Sequence, residues 1–160
     1  MPVEGTQHPL ETVLLQEVEC TGQLLACLDT ERSALAKRDL ETLGKTTEAK
    51  LQHTRQLEQL EQQRAALLDE LGFASDADSQ QFCFDSLPCG ASLTRLWQEI
   101  LDNTRACRTH NLSNGGVLES SRQHVEQALC ILRGQSGTPS LYDTSGGTAT
   151  NLGQRELGKV

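Results

Sequence analysis

Cys107 and His110 are the pair whose residue types and spacing come nearest to a metal site in this 160-residue chain. Residues three apart on a helix lie on the same face, so the thiolate and the imidazole could supply two of the four ligands that zinc prefers. The sequence offers no second close Cys/His pair to complete the set. The pattern therefore favours a buried thiol near a surface imidazole, and we predict no metal site.

Two further groups of residues fall short of a metal-binding pattern. Five residues separate Cys83 from Cys89, whereas a zinc knuckle places two between its cysteines. Asp76 and Asp78 resemble the first ligands of a calcium loop, but the sixth position lacks glycine and the twelfth lacks glutamate. These aspartates are better suited to capping a short helical turn that follows them.

Motifs that carry enzymatic chemistry are missing from the sequence. No glutamate is followed three residues later by a histidine, as a di-iron helical bundle requires. The chain also lacks a Gly-x-Ser-x-Gly nucleophile elbow, a phosphate-binding P-loop and a dinucleotide fingerprint. We therefore predict a protein that is not an enzyme, with no cofactor and no small-molecule substrate.

Charge and composition narrow the class of partner. The formal net charge is −8 at pH 7, whereas nucleic-acid binding depends on clustered Lys and Arg. Residues 1–9 hold no apolar run typical of a signal peptide, and no segment approaches the roughly 20 apolar residues that span a bilayer. Six cysteines without an export signal are typical of reduced thiols. We expect protein partners, no nucleic acid, no membrane insertion and a cytoplasmic location.

The elements that must position these residues are helices. Only 36% of residues are hydrophobic and 3% aromatic, while Leu is abundant and Glu, Gln, Arg, Lys and Ala fill the spaces, which favours long helices in a thin layer. Pro9 suits a first turn, Asp39 can cap a second helix and Gly72 can end it. We predict an all-α fold in which residues 10–71 form a long antiparallel hairpin. A single continuous helix over the same residues is the competing interpretation.

A connector and a third long helix follow the hairpin. The predicted long helices cover residues 9–37, 39–71 and 91–133. Within the connector, residues 79–85 could form one or two helical turns. Residues 1–133 would make one helical domain, a three-helix coiled-coil-like bundle. The remaining residues, 134–160, are rich in Gly, Ser and Thr and too poor in apolar residues to order themselves, so we predict a flexible tail.

One heptad seam runs through the third helix. Its steps of four and three residues pass without a slip through Leu93, Trp97, Ile100, Thr104, Cys107, Asn111, Asn114, Leu118, Ser121, Val125, Ala128 and Leu132. The centre is unsuited to a dry core, because Asn111, Asn114 and the Gly115–Gly116 pair fall where packed helices prefer Leu or Ala. Such a helix can bend there, or can pack its first half on the hairpin and leave its second half for another chain.

Motifs along nearly the whole chain occur in a characteristic order. They are Glu31–Glu41, Lys50–Leu51, Leu57–Glu61 continuing through Arg64, Leu67, Leu68, Leu71 and Gly72, then Trp97–Glu99, Asn111, Asn114–Gly115, Ser121, His124–Val125, Ala128–Leu129, Leu132–Gly134, and Leu141–Asp143 with Gly146. In this order they resemble the FlgN-type flagellar export chaperones. The resemblance covers about residues 10–147, and its more specific parts are the Asn-x-x-Asn-Gly centre and the tyrosine of the tail.

The resemblance implies a function. FlgN-type proteins are cytosolic chaperones that hold hook-associated junction subunits unpolymerised and deliver them to the flagellar type III export gate and its ATPase components. In that family the C-terminal half and its tail engage the cargo. Carried over to this sequence, partner contact falls on Asn111, Asn114, Leu118, Val125, Leu129, Leu132, Leu141 and Tyr142. The doubled glycine, Gly115–Gly116, departs from the single glycine usual in the family.

A second hypothesis belongs to a different class of protein. The same apolar seams would suit a structural coiled-coil or adaptor protein that buries them by self-association. The two hypotheses differ in oligomeric state, because only the second requires copies of this chain to bind one another.

Overall fold

The computed structural model describes residues 7–133, which fold into helices joined by short turns. The helices are α1 (Pro9–Lys37), α2 (Leu40–Glu70), α3 (Ala77–Ser86) and α4 (Gly90–Leu132). The bounds of the three long helices lie within one residue of the predicted ones, and α3 contains the predicted turns at residues 79–85. The predicted all-α hairpin with a third long helix is confirmed. The predicted tail, residues 134–160, lies outside the described residues.

A sharp turn separates α1 from α2, so the competing interpretation of one continuous helix is wrong. Arg38 adopts a left-handed conformation with φ of 56°. The amide of Asp39 donates to the carbonyl of Ala34 at 2.9 Å, which ends α1. The Asp39 carboxylate then accepts hydrogen bonds from the Thr42 amide at 3.1 Å and the Thr42 hydroxyl at 2.6 Å. These hydrogen bonds lower the pKa of Asp39, and they make it the N-cap of α2, as predicted.

Hydrogen bonds between the helices fix their relative directions. The Cys20 thiol donates to the carbonyl of His53 at 3.5 Å, and the Cys27 thiol donates to the carbonyl of Thr46 at 3.4 Å. As residue numbers rise along α1, the numbers of the contacted residues fall along α2, so these two helices are antiparallel. Along α4 the numbers rise together with those of α1, because Asn103 binds Thr21 and Asn114 binds Leu28. Residues up to Leu118 therefore form an up-down-up bundle.

A compact core lies where α1 and α4 begin and α2 ends. Its buried residues are Leu10, Leu14, Leu68, Cys83, Phe84, Leu93, Leu96 and Ile100. The short helix α3 contributes Phe84 to this core and turns tightly into α4 at Gly90. A Cβ atom at Gly90 would lie only 2.1 Å from the carbonyl oxygen of Phe84, so no larger residue fits this turn without moving the backbone.

The buried positions of α4 follow the predicted seam only in part. Leu93, Ile100, Cys107 and Asn114, which are spaced by seven residues, are all buried. Between the first two, the fully packed position is Leu96, whereas Trp97 is half-buried. The helix is thus wedged between two neighbours: positions such as Asn103 contact α1, and positions such as Trp97 contact α2.

Two compact units divide within α4, one ending at Leu118 and the other beginning at Glu119, and each is described separately. The helix itself continues through Gly115 and Gly116, where the sequence left a bend open. In the second unit every residue from Glu119 to Arg133 is exposed. Neither α4 nor any other helix within residues 7–133 combines the length and apolar character needed to cross a membrane.

Candidate functional site

Apolar side chains lie on the surface of the last turns of α4. Val125, Leu129 and Leu132 follow the spacing of i, i+4 and i+7, so they share one face of the helical segment 119–132. Their exposed fractions are 59%, 43% and 81%. We call these three residues the terminal apolar face. Helices of globular proteins normally bury such a stripe, so this face is a candidate site for contact with another protein.

The other residues of the predicted partner surface are placed differently. Leu118, the last residue of the first unit, is also exposed. Asn111 is exposed, whereas Asn114 is buried in the bundle, with only 2% of its surface accessible. Leu141 and Tyr142 lie outside the described residues. The predicted set is therefore not one continuous surface within residues 7–133.

Asn114 takes part in a buried polar network that joins the three long helices. Its side-chain amide donates to the carbonyl of Leu28 at 2.9 Å and to the carboxylate of Glu31 at 2.8 Å. The other oxygen of Glu31 lies 2.7 Å from the ammonium of Lys50 on α2. Lys50 also reaches Asn111 at 3.5 Å. A polar residue at a seam position fixes the register between helices, which explains an asparagine where leucine would otherwise pack.

The neighbouring asparagines allow a matched prediction. Replacing Asn114 by Leu should lower the free energy of unfolding by about 1–3 kcal/mol, because the buried Glu31 carboxylate loses one of its two donors and the carbonyl of Leu28 loses its side-chain donor. Replacing the exposed Asn111 by Leu should change it by no more than about 0.5 kcal/mol. Urea unfolding followed by circular dichroism measures both. Equal effects of the two substitutions would contradict the buried network.

A second polar cluster, of Glu17, Arg64, Gln80 and Trp97, connects all four helices. The Arg64 Nε lies 3.1 Å and 3.2 Å from the two carboxylate oxygens of Glu17, and its Nη1 donates to Gln80 Oε1. The guanidinium carbon stands 4.5 Å from the centre of the Trp97 ring, a cation–π contact. Burial raises the pKa of Glu17, and Arg64 opposes that rise without cancelling it. The cluster therefore holds α1 to α2, α3 and α4 at the end of the bundle where α2 ends and α4 begins.

Nothing in the spacing of Glu17, Arg64 and Gln80 marks them as a cluster in the sequence. They lie on three different helices, and charged or amide residues are common on helical surfaces. The one available signal is Glu17 itself, which lies between Leu14 and Val18 on an otherwise apolar stripe of α1.

The candidate metal ligands do not converge. Cys107 is buried with its thiol 3.6 Å from the carbonyl of Thr21, while His110 Nδ1 lies 2.8 Å from the carboxylate of Asp29. Within residues 7–133 no group of three or more His, Cys, Asp or Glu side chains is arranged to hold a metal ion. Burial raises the pKa of the Cys107 thiol, which keeps it protonated and a poor ligand or nucleophile at neutral pH.

The fold and these surfaces define an all-α bundle protein with a buried polar scaffold and an apolar face near the end of its last helix. Residues 1–150 match the model of the family described as "FlgN protein". The chain belongs to the FlgN family.

Two individual proteins illustrate the relationship. The flagella synthesis protein FlgN of Escherichia coli (strain K12) is 28% identical over 95 residues, which cover 59% of this chain and 66% of that protein. A crystal structure of a Pseudomonas aeruginosa protein assigned as a flagella synthesis protein FlgN superposes with a TM-score of 0.63 at 27% identity, covering 69% of this chain and 86% of that one. The FlgN resemblance seen in the sequence is confirmed.

Proposed function

We propose that this protein is a cytoplasmic, non-enzymatic chaperone of flagellar type III export. It binds hook-associated junction subunits, prevents their premature polymerisation and delivers them to the export gate and its ATPase components. Membership of a family whose named relatives are flagella synthesis proteins supports the flagellar role. The terminal apolar face supports the chaperone role, and it is the single observation that carries the proposal.

The proposed binding of cargo would be driven by burial of the exposed terminal apolar face. A cargo that polymerises through terminal amphipathic helices must be capped by a surface that accepts such a helix. Burying one Val or Leu side chain contributes about 1.5–3 kcal/mol. Val125, Leu129 and Leu132 together would offset part of the cost of association and ordering. Leu118 and Asn111 are further exposed contact positions, and Leu141 and Tyr142 are proposed contacts in the tail. Asn114 would act on binding by fixing the register of α4.

A charge substitution on the terminal apolar face tests the proposal. In the full chain, the double substitution Val125→Glu and Leu129→Glu should weaken binding of a purified junction subunit by about 100-fold or more, since both apolar contacts are replaced by charges that must be desolvated. Isothermal titration calorimetry measures the affinity, and circular dichroism checks the helical content. Deletion of residues 118–160 should abolish binding and leave a soluble bundle of α1, α2, α3 and the first part of α4.

The matched control carries the same added charge elsewhere. Leu40 and Phe82 are exposed by 81% and 71%, so Leu40→Glu with Phe82→Glu adds two carboxylates without touching α4. This control should bind the junction subunit with an affinity within about threefold of the unaltered chain. Full-strength binding by the α4 variant or by the truncated chain would refute the proposed cargo site.

The alternative function is structural self-association, and it rests on the same exposed face. Two copies of the 119–132 segment could bury Val125, Leu129 and Leu132 against each other as a coiled coil. Sedimentation equilibrium over a wide concentration range separates the two functions. A monomer mass at all concentrations counts against self-association, whereas a dimer that dissociates when cargo is added would show that both use one face.

A further inference from the structure

An apolar groove opens on a different part of the molecule, within the first unit. Its floor is made by Leu24 and Leu28 of α1 together with Cys107 of α4, and Leu51 of α2 stands at its rim. The groove runs along Thr47–Thr54 of α2 and Thr104–Asn111 of α4, about 10 Å of helix at 1.5 Å per residue. Its volume is about 470 Å³.

Three of the ten residues that line the groove are threonines, whose small side chains leave space between α2 and α4. Towards the core end, α2 and α4 are bridged by the contact of the Arg64 guanidinium with the Trp97 ring. Towards the α1–α2 turn, Lys50 and Asn111 approach each other at 3.5 Å. Thr54 and Thr104 lie between these closures and Thr47 lies just beyond Lys50, and all three threonines are exposed. Three packed helices thus leave a gap of the width that a side chain from a fourth helix fills.

The charges around the groove are unlike those of the rest of the chain. The sequence has 22 Asp and Glu against 14 Lys and Arg. The described residues that line the groove nevertheless include two cations, Lys50 and Arg108, and no carboxylate. Lys50 is already paired with Glu31. The guanidinium of Arg108 has no hydrogen bond or ion pair to any residue between 7 and 133, so it is available to a partner.

We propose that this groove is a second docking site, which receives an amphipathic helix of a partner protein. Two apolar side chains one turn apart would enter over Leu24 and Leu28, and an acidic residue beside them would pair with Arg108. A helix is the fitting occupant because the walls are themselves helices and the gap spans two turns. The site lies on residues 24–111, so it is separate from the terminal apolar face and does not depend on the proposed cargo function.

A designed peptide of stated chemistry tests the groove. The probe is an Ala- and Gln-based helix of about 18 residues, long enough to be partly helical, with two leucines at i and i+4 flanked by glutamates. Its twin carries lysines in place of the glutamates. Titrated into the ¹⁵N-labelled full chain, the acidic peptide should shift the amide resonances of Thr47–Thr54 and Thr104–Asn111. It should bind about fivefold tighter than the twin, and Arg108→Glu should reverse that preference.

A steric variant and its control complete the test. Thr104→Trp fills the groove and should weaken binding of the acidic peptide by about tenfold or more, whereas Thr109→Trp, at another exposed position of the same helix, should leave it within about twofold. Circular dichroism checks that both variants fold. Shifts confined to residues 119–132, equal binding of the two peptides, or no shift at millimolar peptide would each overturn the proposal.

Discussion

Replacing Arg64 by Met should lower the free energy of unfolding by about 3–5 kcal/mol, a large fraction of the stability of a domain this size. The methionine can still pack against Trp97, so the loss is electrostatic. The substitution leaves the Glu17 carboxylate without its counter-charge, in a residue that has only 3% of its surface accessible. Gln80 loses its donor in the same step. Chemical unfolding at pH 7, followed by circular dichroism, measures the change.

The destabilisation caused by Arg64→Met should depend on pH, and the raised pKa of Glu17 determines the direction of that dependence. Burial raises the pKa of Glu17 in the folded protein above its ordinary value, so the folded state holds this proton more tightly than the unfolded chain does. The contribution of Glu17 to the free energy of unfolding is therefore fully present below the ordinary pKa of a glutamate. It is lost as the pH rises through the raised pKa of the folded state. Without Arg64 the rise in pKa is larger. The stability difference between the unaltered chain and Arg64→Met should thus be smaller at pH 4 than at pH 7.

A combined variant separates the lost ion pair from lost packing. Glu17→Leu, Arg64→Met and Gln80→Leu together remove every member of the cluster that needs a polar partner. This triple variant should recover most of the stability lost in the single one, since well-packed apolar residues replace buried ion pairs at little cost. If the triple variant is no more stable than Arg64→Met, the penalty comes from packing, and the electrostatic explanation is wrong.

The long helices could be read from the sequence because their signals are local. Pro9, Asp39 and Gly72 mark helix ends through the chemistry of the first and last turns, which does not depend on the rest of the fold. The apolar stripes indicate the buried faces less accurately, since in α4 Leu96 is buried where the seam predicts Trp97. The position of α3 also followed from local capping, since Asp76 accepts a hydrogen bond from the amide of Ser79 at 2.9 Å.

The candidate sites were less accessible to sequence reasoning because they depend on three-dimensional register. Asn111 and Asn114 look alike in the seam, yet only Asn114 reaches α1 and is buried. The groove depends on Thr47, Thr54 and Thr104 meeting across two helices, and threonine carries no signal for an opening. Val125 and Leu129 are exposed, and the use of the second half of the helix by another chain stays a prediction.

Replacing Phe84 by Ala should lower the free energy of unfolding by about 3–5 kcal/mol. Phe84 is fully buried and belongs to the core that α3 closes. Truncation removes its apolar contacts and leaves a cavity that cannot collapse easily, because Gly90 already holds the α3–α4 turn against the Phe84 backbone. Since α3 has only ten residues, its packing and not its helical propensity keeps it in place. Urea unfolding of the purified variant measures the loss.

Phe82 provides the matched control within the same helix. Its side chain is 71% exposed, although it belongs to the same short apolar cluster of the sequence. Phe82→Ala should therefore change the free energy of unfolding by no more than about 0.5 kcal/mol. Amide exchange adds a second readout, because Phe84→Ala should speed exchange in α3 and the first turns of α4 ahead of α1. Equal destabilisation by the two substitutions would mean that α3 does not close the core through Phe84.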